Sequence, residues 1–171
     1  MKIGLFGGTF NPIHFGHINL VITLMEKNAL DCVWWIPALT SPFKQDEHTA
    51  LPHHRLEMVK LAVKGIPNCE VLPLEIHRPA PSYTVDTIEA LFDGQNEFFL
   101  LLADDAYARF DEWKNHEVIR ERVEILVGSR KGMEISGTQI RERLKKGLYC
   151  GHLVPANVLD YIHEHQLYFI P

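Results

Sequence analysis

The chain has 171 residues, 46% of them apolar and 23% charged, and its 17 Lys and Arg face 22 Asp and Glu for a formal charge of -5. That length suffices for one domain with its own core, covering residues 1–171, and argues against two full domains. The negative balance removes the positive field that non-specific duplex binding needs, so no nucleic-acid partner is expected, whereas a small phosphorylated ligand needs only a local set of donors.

Cys32, Cys69 and Cys150 are odd in number and form no CxxC pair, which argues for reduced thiols rather than a disulfide framework. The start, Met1 to Phe6, reaches glycines before it could build the apolar core of a signal peptide. No run approaches the roughly 20 apolar residues of a membrane span. A cytoplasmic chain without membrane contact is the expectation.

In chain order, Ile3–Phe6 reads as a buried strand and Gly16–Asn28 as a helix with Ile18, Val21, Ile22 and Met25 at helical spacing. Cys32–Ile36 reads as a second strand. Pro37–Leu51 is a long polar connection, either a mobile ligand loop or a disordered surface loop. A helix over His53–Lys64, a strand over Glu70–Leu72 and a helix over Thr84–Phe92 follow. Phe98–Leu102, a continuous apolar run between charges, suits a central parallel strand. Val123–Val127 is the next strand, and Thr138–Lys146 and Ala156–His165 are the last helices. Short apolar runs alternating with amphipathic stretches indicate βαβ units and the α/β class.

The stretch Gly7-Gly8-Thr9-Phe10-Asn11-Pro12-Ile13-His14-Phe15-Gly16-His17 joins the first strand to the first helix. In an open α/β sheet that junction lies at a strand's carboxyl end, where glycines let backbone N–H groups approach a phosphate. Two histidines at a helix amino end add donors for oxygens that gain charge during phosphoryl or nucleotidyl transfer. The plain alternative is a tight turn with incidental histidines. A zinc site lacks further ligands, since no nearby Cys or acidic residue completes the pair.

These residues resemble the signature loop of the HxGH nucleotidylyltransferase superfamily, with His14-Phe15-Gly16-His17 as the motif. The resemblance implies a Rossmann-like, doubly wound parallel sheet in three αβα layers. It also implies catalytic His14 and His17 on the phosphates of ATP, with Gly7, Gly8, Thr9 and Phe10 lining the ATP site. Ile135-Ser136-Gly137-Thr138-Gln139-Ile140-Arg141 reads locally as a helix start capped by Ser136 or Thr138. It is similar to the superfamily's ISSTxIR motif, with Gly137 in place of the second serine. Ser136 and Thr138 would then bind ATP, and Arg141 would hold its β- and γ-phosphates.

The acceptor is read from the middle of the chain. Arg78-Pro79-Ala80-Pro81-Ser82-Tyr83-Thr84-Val85-Asp86-Thr87 is a proline-stiffened loop leading into a helix, with Thr84 or Ser82 as the expected cap. It also resembles the RxGPSYTxDT segment of bacterial nicotinate mononucleotide adenylyltransferases, and Phe98 to Asp105 with Trp113 fits that family's strand, GxD turn and tryptophan. Trp113 would stack on the pyridine ring, and Asn11, Lys44, Ser82, Tyr83, Thr84 and Asp105 would complete the mononucleotide site. Two departures stand out. Ala103 replaces the glycine of GxD, leaving the roles of Asp104 and Asp105 open, and only Lys131-Gly132-Met133-Glu134 joins Arg130 to Ile135, where the family usually has more chain.

The family implies transfer of AMP from ATP to nicotinate mononucleotide, giving deamido-NAD and pyrophosphate, with Mg²⁺ accompanying ATP and no metal held by the protein. Adenylylation of nicotinamide mononucleotide or another phosphorylated acceptor, and a non-catalytic nucleotide-binding module, are the alternatives. A homo-oligomer is left open. A dinucleotide-dependent oxidoreductase fits poorly, because the first loop lacks GxGxxG and Trp34-Trp35-Ile36-Pro37 offers no ribose-binding acid.

Overall fold

Side chains on a strand alternate between faces, and in β4 (Glu97–Ala103) Phe98, Leu100 and Leu102 enter one apolar cluster while Phe99 and Leu101 enter another. Both faces of the sheet are therefore covered, as a continuous apolar strand requires. The computed structural model describes residues 1–40 and 49–169. The strands β1 (Lys2–Gly8), β2 (Cys32–Pro37), β3 (Cys69–Val71), β4 and β5 (Glu124–Gly128) lie parallel in the order β3-β2-β1-β4-β5.

On the Phe99 face, α1 (Phe15–Lys27) buries Leu20, Val21 and Leu24, and α2 (Pro52–Val63) buries Met58 and Val59. Ile140 of α6 (Gly137–Lys145) and Val158 and Ile162 of α7 (Ala156–Glu164) complete that layer. On the Leu100 face, α3 (Thr84–Leu91) contributes Val85 and Ile88, and α5 (His116–Arg122) contributes Ile119. This is the three-layer, doubly wound arrangement expected. Connections leave β1 towards β2 on one side and the later strands build on the other, which opens a crevice at the carboxyl ends of β1 and β4.

The expected elements are all present, with ends displaced by one or two residues. Between β4 and β5 the chain also forms α4 (Asp104–Tyr107), a 3₁₀ turn at Phe110–Glu112 and α5. These are too short for a hydrophobic period to accumulate, which is why no pattern announced them. The expected cap of α3 is corrected. Tyr83 occupies the N-cap position without a side-chain bond, and the Ser82 hydroxyl instead accepts the Leu39 N–H at 3.1 Å. Part of the Pro37–Leu51 connection, with Lys44, lies outside the described residues.

Candidate active site

The glycine loop is built around two aromatic supports and two interlocked imidazoles. Phe10 adopts φ 51° and is 2% exposed, its ring lying 5.7 Å from Phe6, 5.9 Å from Trp35 and 5.2 Å from His17. Its side chain thus belongs to the core beneath His17, and only its main chain is placed to meet a ligand. A side chain at Gly8 would bring a Cβ within 3.0 Å of that ring.

His14 is the N-cap of α1, and its N–H donates to His17 Nδ1 at 3.2 Å. The two rings stack with centroids 3.7 Å apart and planes 23° from parallel. A neutral His17 whose Nδ1 accepts carries its proton on Nε2. The glycine between the histidines keeps the packing unstrained, since a Cβ at Gly16 would lie 3.0 Å from the His14 ring, tighter than an ordinary contact.

Helix α6 meets this loop at Asn11. Ser136 caps α6 by accepting the Gln139 N–H at 3.1 Å, which decides between the two expected caps. Arg141 donates from Nη1 to the Asn11 carbonyl at 2.8 Å and from Nη2 to the Thr138 hydroxyl at 3.4 Å. Gly137 is the point of closest approach, where an added Cβ would sit 2.6 Å from the Asn11 carbonyl oxygen. The side-chain oxygen of Asn11 faces inward and accepts from the Ala50 N–H at 3.0 Å and the Tyr168 hydroxyl at 2.7 Å.

At the end of β4, Ala103 has φ -75°, which needs no glycine. Asp104 accepts from the Ser129 hydroxyl at 3.1 Å, whereas Asp105 pairs with Arg130 Nη1 at 3.0 Å and lines the cavity. Arg130 also donates to the Ile135 carbonyl, so this one side chain spans the short Arg130–Ile135 connection. On the opposite wall, the Thr87 hydroxyl donates to Glu75 at 2.7 Å and accepts from Arg78 at 3.3 Å. Burial pushes the Glu75 carboxyl up, against the opposing bonds from Thr87 and Ser82. Lys114 Nζ stands 4.3 Å over the Tyr83 ring and 3.4 Å from Asp86, beside Trp113, which packs on Phe110 at 5.4 Å.

Between these walls lies a cavity of about 760 Å³. Every described site residue expected from sequence lines it: Gly7, Gly8, Thr9, Phe10, Asn11, His14, His17, Ser82, Tyr83, Thr84, Asp105, Trp113, Ser136, Thr138 and Arg141. Glu75, Arg130 and Lys114 line it as well and were not expected.

A further residue missed from sequence lies beneath the floor. Arg55 is 1% exposed and donates to four carbonyls: Ala50 at 3.0 Å and Thr9, Ala38 and Leu39 at 2.7 Å each. It ties the glycine loop to the end of β2. An arginine in an amphipathic helix reads as solvated, and its partners here are main-chain carbonyls of other segments, which no side-chain pattern in the sequence marks. Among the described residues no group of three or more His, Cys, Asp or Glu is placed to hold a metal ion, and no helix is long and apolar enough to cross a membrane.

A cytidylyltransferase-like family model matches residues 5–143. A probable nicotinate-nucleotide adenylyltransferase of Dictyoglomus turgidum is 40% identical, covering 98% of this chain and 96% of the relative. One of Salinibacter ruber is 37% identical, covering 98% of each. The solved structure of Plasmodium falciparum nicotinic acid mononucleotide adenylyltransferase complexed with NaAD matches with a TM-score of 0.76 at 17% identity, over 98% of this chain and 97% of that one, and speaks to the fold. With the glycine loop, the paired histidines and the capped α6 facing one cavity, this chain belongs to the cytidylyltransferase-like family, in its nicotinate-nucleotide adenylyltransferase branch.

Proposed function

We infer that the protein transfers the AMP moiety of ATP to nicotinate mononucleotide, giving deamido-NAD and pyrophosphate. The observation that carries this reading is the convergence of three separate segments on one cavity: the His14–His17 loop, the amino end of α6 with Arg141, and the Ser82-Tyr83-Thr84 turn facing Trp113. Two walls of donors suit a triphosphate, and an aromatic face beside a polar turn suits a pyridine nucleotide.

In the reaction a phosphate oxygen of the mononucleotide forms a bond to the α-phosphorus of ATP while the bond from that phosphorus to the bridging oxygen of the pyrophosphate breaks. The acceptor phosphate is already ionised at neutral pH, so no protein nucleophile or base is needed. Catalysis reduces to aligning two anions and stabilising the charge that grows on the leaving group. His17, donating from Nε2, and His14 beside it would serve the oxygens of the reacting phosphate, and Arg141 with Ser136 and Thr138 the leaving pyrophosphate. Mg²⁺ would enter as part of the substrate Mg-ATP, held chiefly by phosphate oxygens and water. Gly7, Gly8, Thr9 and the main chain of Phe10 would border the ATP phosphates. Ser82, Tyr83, Thr84, Asp105 and Trp113 would receive the mononucleotide, and Asn11 would act on the ATP side through its carbonyl's hold on Arg141. Lys44 would meet the acceptor phosphate. A cytoplasmic location fits a chain whose substrates are intracellular metabolites.

The test is pyrophosphate release with Mg-ATP and, in turn, nicotinate mononucleotide, nicotinamide mononucleotide and phosphopantetheine, with product masses recorded. Deamido-NAD from the first at the highest kcat/KM is expected. Release with none of the three would leave a nucleotide-binding module, and preference for another acceptor would replace the substrate.

A further inference from the structure

The Asn11 side-chain oxygen is held by two donors close to the phosphate half of the cavity. It has two lone pairs, and two fixed donors occupy them, the Ala50 N–H at 3.0 Å and the Tyr168 hydroxyl at 2.7 Å. The main-chain carbonyl of the same residue anchors Arg141 at 2.8 Å. Tyr168 lies 157 positions away in sequence, is 9% exposed and adopts φ 69°. A bulky residue holds that left-handed conformation only where its surroundings impose it, and such positions gather around functional sites. Burial pushes the Tyr168 hydroxyl far above its usual range, so it stays a donor at every working pH.

We propose that Tyr168 is a positioning residue for nucleotidyl transfer: by holding Asn11 Oδ1 it fixes the carbonyl that aims Arg141 into the phosphate half of the cavity. The inference rests on the reading of the α6 edge as the triphosphate site. Without the hydroxyl the Asn11 side-chain oxygen loses the Tyr168 donor, the hold on its main-chain carbonyl loosens, and Arg141 must then be ordered by the ligand at a cost in affinity.

Tyr168→Phe keeps the ring and removes only the hydroxyl. The experiment measures equilibrium binding of Mg-ATP and, separately, of nicotinate mononucleotide to the wild type, Tyr168→Phe, Asn11→Ala and the double variant. Alongside it, the Arg141 Nε–H nuclear magnetic resonance signal of the unliganded proteins is followed, assigned through Arg141→Lys. Loss of one hydrogen bond predicts Mg-ATP binding weaker by about three- to tenfold in Tyr168→Phe, with mononucleotide binding within about twofold and a displaced Arg141 signal. The double variant should bind no more weakly than Asn11→Ala alone. A purely structural role would weaken both ligands together, and that result overturns the proposal. So would unchanged Mg-ATP binding, or losses that multiply in the double variant. Should the wild type bind neither ligand and form no dinucleotide, the functional reading fails, and the Arg141 signal alone then decides: displacement sustains the contact chain, and an unmoved signal ends it.

Discussion

Replacing Gly137 by serine would bring the α6 motif closer to the serine-bearing pattern it resembles, yet the structure predicts harm. A Cβ at this position would lie 2.6 Å from the Asn11 carbonyl oxygen and 3.2 Å from its carbonyl carbon. A carbon–oxygen contact of this kind relaxes to about 3.3 Å, so something must move by about 0.7 Å. Asn11 is not free to retreat, because Arg141, Ala50 and Tyr168 all bond to it. The start of α6 must therefore move, carrying Ser136, Thr138 and Arg141 outward. Overpacking of this order costs about 2 kcal/mol, which for a chain of this size lowers Tm by about 4–8 °C. Misplacing Arg141, which we propose holds the leaving pyrophosphate, by nearly an ångström should lower kcat by about ten- to a hundredfold. Urea denaturation and pyrophosphate release check the two effects on one protein preparation. Gly137→Ala, which adds the Cβ without the hydroxyl, should behave the same way. A Gly137→Ser protein with wild-type denaturation midpoint and kcat within about twofold would refute the steric reasoning.

Three other outcomes follow from the same geometry. Arg55→Met leaves four carbonyls without their donor; at about 1.5 kcal/mol per charge-assisted bond, reduced by relaxation and the shared Nη1, the loss should be about 4 kcal/mol in urea, and a change under about 1 kcal/mol would show that the clamp contributes little. His17→Ala should lower kcat about a hundredfold or more while moving folding stability by only about 1 kcal/mol, measured by turnover and denaturation together. Glu75 has a carboxyl pushed up by burial, so its contribution to stability is complete below the ordinary carboxylate pKa and is lost as pH rises through the elevated folded value. Glu75→Gln should consequently gain stability relative to wild type as pH rises from about 4 towards neutrality, and parallel pH–stability curves would contradict the assignment.

The expected reaction does not depend on the chain's overall charge of -5. Its anionic substrates would meet donors that are local: the amino ends of α1 and α6, the imidazoles and Arg141. Arg109, Lys114 and Arg130, the other described cations lining the cavity, are paired with Glu112, Asp86 and Asp105. A locally positive cavity on an acidic surface is the arrangement a small anionic ligand needs and a polynucleotide does not.

Much of this was determined by sequence alone, because the interactions responsible are local. Apolar runs of strand length, helical spacing in α1 and α2, and glycines at a strand–helix junction act within a few residues, so the α/β class and the place of the glycine loop follow directly. The spacing of His14, Gly16 and His17 is likewise local, since stacking and the 3.2 Å bond between the histidines need only one turn of helix. Tertiary structure alone decided the rest. It placed the Phe10 ring in the core, turned the Asn11 side-chain oxygen inward, brought Asp105 rather than Asp104 to the cavity, and buried Arg55 among carbonyls from three segments. It also explains Gly137, whose missing side chain makes room for a carbonyl 126 positions earlier in the chain. Such contacts depend on where distant segments meet, and no window of sequence contains both partners.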